Sequence, residues 1–326
     1  MRIFVTGITG TLGRAMMMFS RHEIVAGCAR DWHKFDEIQS LSQNYPKLPK
    51  FHACDIRDTD ELTRIFKEHD IDAVVNAAAV KSVGACNRNP YYSHSVNATG
   101  AANASYAAVA ADIGKFLQIS SDKAVEPVNI YGMQKAVAER LVLANKGLCS
   151  QVIRYGNVLG SRGSVFWKWI DQINASQLLT IVGPLPIVTR YWMTFREAVT
   201  FIDNVLEMDS GLYVRCMNAS SITALAEVLF KMVSGDLATL NVLGGVRWIG
   251  LGQEEKQHES LINQREVKVL ELVNEIIAIY KCGSEETDLP HVAMRSSEDA
   301  AMFGIPLEKM VDEVYNDHIA MFGREG

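Results

Sequence analysis

The sequence predicts an α/β protein: a doubly wound parallel sheet followed by a smaller C-terminal substrate-binding lobe. Three observations carry this expectation. Short runs that are apolar throughout recur between longer stretches of helical periodicity, as expected of strands covered by helices on both faces. The first run, RIFVTG at 2–7, leads at once into Gly7, Gly10 and Gly13 and then a helix. Beyond about residue 160 the rhythm changes to helices separated by brief strand-like pieces.

Each element follows in order. RIFVTG is the first strand and TLGRAMMMFS the first helix. EIVAGC at 23–28, KFHACDI at 50–56, AVVNAAA at 73–79 and KFLQISS at 115–121 repeat the strand signal. Helical spacing fills the intervals, most clearly in DTDELTRIFKEH at 58–69 and SVNATGAANASYAAVAA at 95–111. QVIRYGNVLG at 151–160 is the last clear strand of this core. SVFWKWIDQI and FREAVTFIDNVLEM then read as helices, LLTIV and YVRCMNA as short strands. ALAEVLFKMVSG, the polar loop GLGQEEKQHES and a helical run REVKVLELVNEIIAIY follow. We therefore expect a dinucleotide-binding domain over 1–160, to which parts of 189–220 return, and a mainly substrate-binding lobe over 161–326.

Composition narrows the class. With 48% apolar and 21% charged residues the chain has the balance of a soluble globular protein. A formal charge of −6 offers no basic patch for nucleic acid. No Lys/Arg run marks a membrane surface, and no apolar run approaches a membrane span. The strand pattern begins at residue 2, so no signal peptide is expected. The six cysteines are scattered singly, without a C-x-x-C pair. They read as reduced thiols of a cytoplasmic protein, with no metal site expected.

The glycine triplet is the first functional signal. Gly7, Thr9, Gly10, Thr11, Leu12 and Gly13 lie between a strand and a helix. Glycine there lets the backbone approach a pyrophosphate, whose charge settles on the helix N-terminus. The second strand ends in Ala29 and Arg30 where an NAD site usually carries an acid. The planar fork of arginine suits a 2′-phosphate, so NADP is expected over NAD; the alternative is that Asp31 takes the ribose. Asp55 and Ile56 follow the third strand, within reach of an adenine. Ala77, Ala78 and Ala79 follow the fourth, small residues where a cofactor lies flat, and Lys81 then faces the pocket.

SSDKAVEPVNIYGMQK, at 120–135, carries the chemistry. Tyr131 and Lys135 are one helical turn apart and share a face. Free tyrosine titrates near ~10, and a neighbouring ammonium is expected to lower that value so that the phenol serves as a base beside the nicotinamide. Asp122 and Lys123 stand at the tip of the fifth strand, where doubly wound folds bind ligands. An acid and a base beside a hydride site permit an elimination: oxidation of one carbon acidifies its neighbour, a base removes that proton, and an acid protonates the departing hydroxyl. Desolvation favours the neutral form of each group, and for Lys123 it is expected to lower the pKa.

These residues together resemble a known family. SSDKAVEPVNIYGMQK is similar to the Ser/Thr-Asp-Lys-Ala-x-x-Pro-x-Asn-x-Tyr-Gly-x-x-Lys signature of UDP-N-acetylglucosamine 4,6-dehydratases, which are extended short-chain dehydrogenases with a Rossmann fold. NAAAVKSV, VIRYGNVLGSRGSVFWKWI, TRYWMTFREAV and EEKQHE resemble further landmarks, and the resemblance runs from residue 1 to about 265. Family members that retain the C5 configuration carry Met at the position of Tyr131, so the resemblance implies the C5-inverting type. It implies UDP-N-acetylglucosamine as substrate, a 4-keto-6-deoxy-L-arabino-hexose product, and cofactor that is regenerated as hydride leaves C4 and returns to C6. Pseudaminic acid or a surface polysaccharide would be the eventual destination. By the same resemblance Asp122 is the acid for the 6-hydroxyl, Lys123 the C5 base and Tyr131 the C4-hydroxyl base. Substrate contacts fall to Lys81, Asn157, Arg162, Ser164, Arg190, Glu255 and His258, and relatives form homo-oligomers. The chain departs from the family at Gly252, where an arginine is usual, and at Leu185 and Ile187, where an aspartate and an arginine are usual. The rival readings are a 4-epimerase or other nucleotide-sugar enzyme of this fold, which needs no Asp122–Lys123 pair, and a non-catalytic NADP sensor, which needs neither Tyr131 nor Lys135.

Overall fold

The computed structural model describes residues 1–234, 245–263, 266, 271–273, 276–281, 297 and 307–323. Seven parallel strands form the main sheet: β1 (Arg2–Thr6), β2 (Glu23–Ala29), β3 (Lys50–Ala53), β4 (Ala73–Asn76), β5 (Lys115–Ile119), β6 (Cys149–Arg154) and β10 (Gly211–Arg215). Their order is β3-β2-β1-β4-β5-β6-β10. The order reverses direction at β1, so the crevice between β1 and β4 is the switch point of the doubly wound arrangement.

Helices α1 (Thr11–Phe19), α2 (His33–Ser40), α3 (Thr59–Lys67), α6 (Gly100–Ala110), α7 (Ile130–Ala144) and α9 (Phe195–Val205) connect these strands, with the short α4 (Val83–Arg88) and α5 (Pro90–His94) after β4. Burial on both faces explains the uninterrupted apolar strands: Ile3, Phe4 and Val5 of β1 and Val74 and Val75 of β4 are inaccessible to solvent. Local signals set the helix starts. Asp58 accepts the Glu61 N–H at 3.0 Å to cap α3, and Asn129 accepts the Gly132 N–H at 2.8 Å to cap α7. Thr194 and Glu197 form a reciprocal capping box on α9.

The run at 151–160 divides in two. β6 stays in the main sheet, and beyond Gly156 the chain enters a small sheet of β7 (Asn157–Val158), β9 (Thr189–Met193) and β11 (Asn218–Ser221). A Cβ at Gly156 would lie 2.4 Å from Tyr191 Cβ, so only glycine fits this crossing. α8 (Val165–Asn174), α10 (Ile222–Ser234) and a parallel pair, β8 (Leu179–Val182) and β12 (Val246–Ile249), surround this sheet.

Two features differ from expectation. Within REVKVLELVNEIIAIY, the described residues from 271 on form strands, not helix: β13 (Glu271–Val273) and β14 (Ile276–Lys281). β14 pairs antiparallel with β10 and β13 with β14, extending the main sheet. Three isoleucines and a tyrosine in IIAIYK favour a strand, and the open edge of β10 supplies the backbone partners that local helical spacing cannot foresee. The second is a C-terminal helix, α11 (Leu307–Phe322). Its last turn comes back to the start of the fold, where Tyr45 Oη donates to the Met321 carbonyl at 2.6 Å and Arg14 Nη1 to the same oxygen at 3.3 Å. Among the described residues no helix is long and apolar enough to cross a membrane.

Candidate active site

A large cleft of about 1430 Å³ opens at the carboxyl ends of the parallel strands. Small-molecule pockets commonly run to about 300–1,000 Å³, so this one has room for a dinucleotide and a second ligand.

At one end is the glycine loop. Gly7 has φ +67°, and a Cβ there would lie 2.8 Å from Ala78 Cα, so the loop touches the end of β4. Gly7, Thr9, Gly10, Thr11 and Leu12 line the cleft. Gly13 does not; a Cβ there would meet the Ile8 carbonyl at 2.3 Å, so its role is to let α1 close on the loop. No side chain caps α1 and no acid lies in its first turn, which leaves first-turn N–H groups for an anion. Ala77, Ala78, Ala79, Asp55 and Ile56 form adjoining wall. The Asp55 carboxylate is held below its ordinary range: desolvation works against this, but hydrogen bonds from the Arg57 guanidinium, at 2.8 and 3.0 Å, outweigh it. Arg30 reaches the cleft beside His33 and Lys34, and donates to Tyr92 Oη. Asp31 also lines the wall, but its Oδ1 accepts the His33 N–H at 3.1 Å at the start of α2. These residues fit a nicotinamide dinucleotide.

The centre of the cleft is built by the tip of β5 and the first turns of α7. Lys123, Tyr131 and Lys135 line it. Lys135 Nζ donates to the Ile119 carbonyl at 2.8 Å and lies 6.0 Å from the Tyr131 ring centre. Burial pulls the Lys135 ammonium down to about 8, against the opposing pull of Glu139. The expected lowering of Tyr131 is not found. Burial pushes its phenol well above the ordinary value, the Asp122 charge adds to this, and Lys135 is too distant and too committed to Ile119 to offset it.

Asp122 is completely buried behind the cleft wall. Its Oδ1 accepts from Ser121 Oγ at 2.8 Å and from Lys123 Nζ at 3.1 Å, while Oδ2 has no hydrogen-bond partner among the described residues. Lys123 also corrects an expectation. Desolvation alone would depress it, but the carboxylates of Asp122 and Glu259 outweigh that effect and raise its pKa. The cleft-facing member of the pair is therefore a cation here.

Of the substrate-contact candidates, Lys81, Asn157, Arg162, Ser164, Arg190 and Glu255 line the cleft. Lys81 Nζ donates to the Arg162 carbonyl at 2.5 Å, and desolvation with the nearby Arg162 charge lowers its pKa. Ser164 stands at the N-cap of α8 with a buried hydroxyl that has no partner among the described residues. Arg190 Nη1 donates to the Thr189 and Gln257 carbonyls at 2.8 and 3.2 Å. His258 stands behind the wall, its Nδ1 2.8 Å from Thr189 Oγ1, outside the cleft lining. Tyr155 and Lys168, which no motif singles out, also line the cleft, whereas Glu259 of the EEKQHE stretch lies outside the lining. The first two carry no spacing signal, since β6 and α8 alone turn them inward. Among the described residues, His52, Glu68 and His69 bring possible metal-ligating atoms together, but away from the cleft lining, and the Glu68 carboxylate is paired with Arg64.

Residues 3–281 match the polysaccharide biosynthesis protein family. The chain belongs to that family. Within it, the chain is 32% identical over 280 residues to the UDP-glucose 4-epimerase of Rickettsia akari, covering 81% of this chain and 78% of the relative. Among solved structures, Pen from Bacillus thuringiensis covers 98% of each chain at 24% identity with a TM-score of 0.83. DesIV, a dTDP-glucose 4,6-dehydratase from Streptomyces venezuelae solved with NAD and TYD bound, covers 98% of each at 17% identity and a TM-score of 0.69. This member of the polysaccharide biosynthesis family thus has the extended short-chain dehydrogenase fold, the fold of nucleotide-sugar epimerases and dehydratases.

Proposed function

We propose that this chain is an NADP-dependent nucleotide-sugar 4,6-dehydratase that acts on UDP-N-acetylglucosamine and inverts C5. The observation that carries the reading is the Asp122–Lys123 pair, with 3.1 Å between Oδ1 and Nζ, at the tip of β5 beside Tyr131. A 4-epimerase moves hydride out of and back to one carbon and needs Tyr131 and Lys135 alone. The name of the Rickettsia akari relative favours that second reading, and the two are separated by experiment below.

The glycine loop and the start of α1 would hold the pyrophosphate, and Arg30, His33 and Lys34 the 2′-phosphate. A bound nicotinamide would supply a hydride acceptor for sugar C4 and the same hydride for C6, so that there would be no net oxidation. Tyr131 would receive the C4-hydroxyl proton; because burial and the Asp122 charge hold its phenol well above the ordinary value, the positive charge of an oxidised nicotinamide would be needed beside it to favour the phenolate. Asp122 and Lys123 act as one proton-holding unit. Moving a single proton across their 3.1 Å contact converts the ion pair to a neutral acid and a neutral amine with no change in net charge. That form supplies a base for the C5 proton and an acid for the 6-hydroxyl. Lys81, Arg162, Lys168 and Arg190 line the cleft with positive charge suited to the diphosphate. They make up for Gly252, Leu185 and Ile187, of which Leu185 and Ile187 are 80% and 57% exposed.

The test is to incubate the protein with NADP and UDP-N-acetylglucosamine in deuterated water and follow the sugar by NMR. A product lacking one water, deuterated at C5 and with inverted C5, is expected. Formation of the C4 epimer without loss of water would replace the dehydratase reading with the epimerase one.

A further inference from the structure

Lys123 is gripped from two sides, and only one of them belongs to the signature around it. Its ammonium lies 3.1 Å from Asp122 Oδ1 and 3.7 Å from Glu259 Oε1. Glu259 comes from the loop after β12, more than a hundred residues along the chain, and is 2% exposed. Its backbone is fastened on both sides by Ser297: the Glu259 N–H donates to Ser297 Oγ at 2.9 Å, and its carbonyl accepts the Ser297 N–H at 2.8 Å. The second carboxylate oxygen, Oε2, is 3.3 Å from Lys256 Nζ. Lys256 in turn donates to the Val125 carbonyl at 2.6 Å, at the end of the turn that carries Asp122 and Lys123. Burying a carboxylate costs several kcal/mol unless it is paired, so this loop is built to deliver a charge to Lys123.

We propose that Glu259 is a positioning residue of the site: its carboxylate holds the Lys123 ammonium against Asp122, and Lys256 limits how strongly it does so. The proposal rests on the reading of Asp122 and Lys123 as the proton-transfer pair. Two anions and one cation face Lys123 directly: Asp122 from its own turn, Glu259 from the loop and Arg190 from β9. Tyr131 of α7 lies on the Asp122 side. Glu259 favours the charged amine and so keeps the pair in its ionic form; Lys256 and Arg190 work against it. Because Asp122 and Glu259 outweigh desolvation and Arg190, the ionic form is the resting one, and a weaker pull from Glu259 would bring the neutral, reactive form of the pair within easier reach. Glu259 acts through Lys123, since it does not line the cleft.

The test reads Lys123 itself. The full-length protein is acetylated competitively across a pH series and Lys123 modification is followed by mass spectrometry, for the wild type, Glu259→Gln, Glu259→Asp and Lys256→Met. Glu259→Gln is expected to move the Lys123 curve to lower pH, with about tenfold more labelling at a pH below both midpoints, the equivalent of one pKa unit. Lys256→Met leaves Glu259 less compensated and is expected to move the curve to higher pH; Glu259→Asp keeps the charge and stays near the wild type. Unmoved curves, or both Gln and Met variants shifting in the same direction as general loosening would produce, overturn the proposal. C5 deuterium exchange with UDP-N-acetylglucosamine is run beside it, where the rising limb of the pH profile should move acidward in Glu259→Gln. Opposite labelling shifts with no exchange in the wild type would keep the role of Glu259 and remove the dehydratase reading. Exchange with unmoved labelling curves would do the reverse.

Discussion

On the proposed reading, Arg30, just after β2, is the first of the residues that would favour NADP over NAD. Its guanidinium forms no direct ion pair among the described residues, though Asp55 is near enough to feel its charge, and it rests on the Tyr92 phenol, so a 2′-phosphate would gain a charge-assisted contact without first breaking an ion pair. Hydrogen bonds to charged groups contribute about 1.5–3 kcal/mol. Arg30→Ala is therefore expected to weaken NADPH binding roughly 10- to 100-fold, while NADH changes only a few-fold, as measured by fluorescence titration. Equal loss for both cofactors would assign Arg30 to the loop and not to the phosphate. At this scale the sequence made positions legible but not charge states. Tyr131, Lys135, Asp122 and Lys123 could be found from spacing after a strand. Their protonation depends on neighbours the spacing cannot show: the Ile119 carbonyl that engages Lys135, and Glu259, which reaches Lys123 from another loop.

Among the elements, α11 shows what a sequence pass misses and why. The parallel strands were readable because burial on both faces makes them continuously apolar. β14 escapes local periodicity because its partner, β10, lies some sixty residues away, and β13 follows by pairing with β14; α11 matters through contacts with α1 and with the start of α8. His318 of α11 is 2% exposed and packs, with its ring tilted, between Trp167, at 4.0 Å, and Phe322, at 4.5 Å. Desolvation, aided by the charges of Arg162 and Arg14 and opposed by the Gly160 backbone, pulls its pKa down to about 4. The unfolded chain therefore binds the proton first as pH falls. Stability from the neutral, buried ring is complete above about 6.5 and is lost as pH drops toward about 4. At pH 5 the loss amounts to about 2 kcal/mol. His318→Phe keeps an aromatic ring in the stack and removes the titration. It should therefore lose about 2 kcal/mol less stability than the wild type between pH 7 and pH 5, measured by denaturant unfolding. An identical acid loss in both proteins would show that α11 is not anchored through a neutral His318. Because α11 backs Arg14 and Arg162 beside the glycine loop, weakened docking should also weaken cofactor binding.

For the whole molecule, the apolar surface left uncovered points to a second copy of the chain. Met133, Val137 and Leu141 of α7 are 46%, 42% and 39% exposed and recur at four-residue intervals, so they form one stripe. Tyr106 and Val109 on the neighbouring α6 extend it, at 58% and 37% exposed. These helices cover one face of the sheet, away from the lobe formed by α8, α10 and the small sheets, so a partner here would leave the cleft open. A twofold arrangement brings the same stripe against itself and makes a four-helix contact. Completing the burial of a half-exposed side chain gains on the order of 1 kcal/mol. Five such residues on each of two copies would supply on the order of 10 kcal/mol toward the cost of association. We therefore expect the wild type to run as a homodimer in size-exclusion chromatography with light scattering. The pair Met133→Glu and Val137→Glu sets like charges face to face across the symmetry axis and should halve the mass while preserving the circular dichroism spectrum. Both positions point away from the cleft lining, so the monomer should keep C5 exchange within a few-fold of the dimer. A monomeric wild type, or an unchanged mass in the double variant, would move the contact to another face.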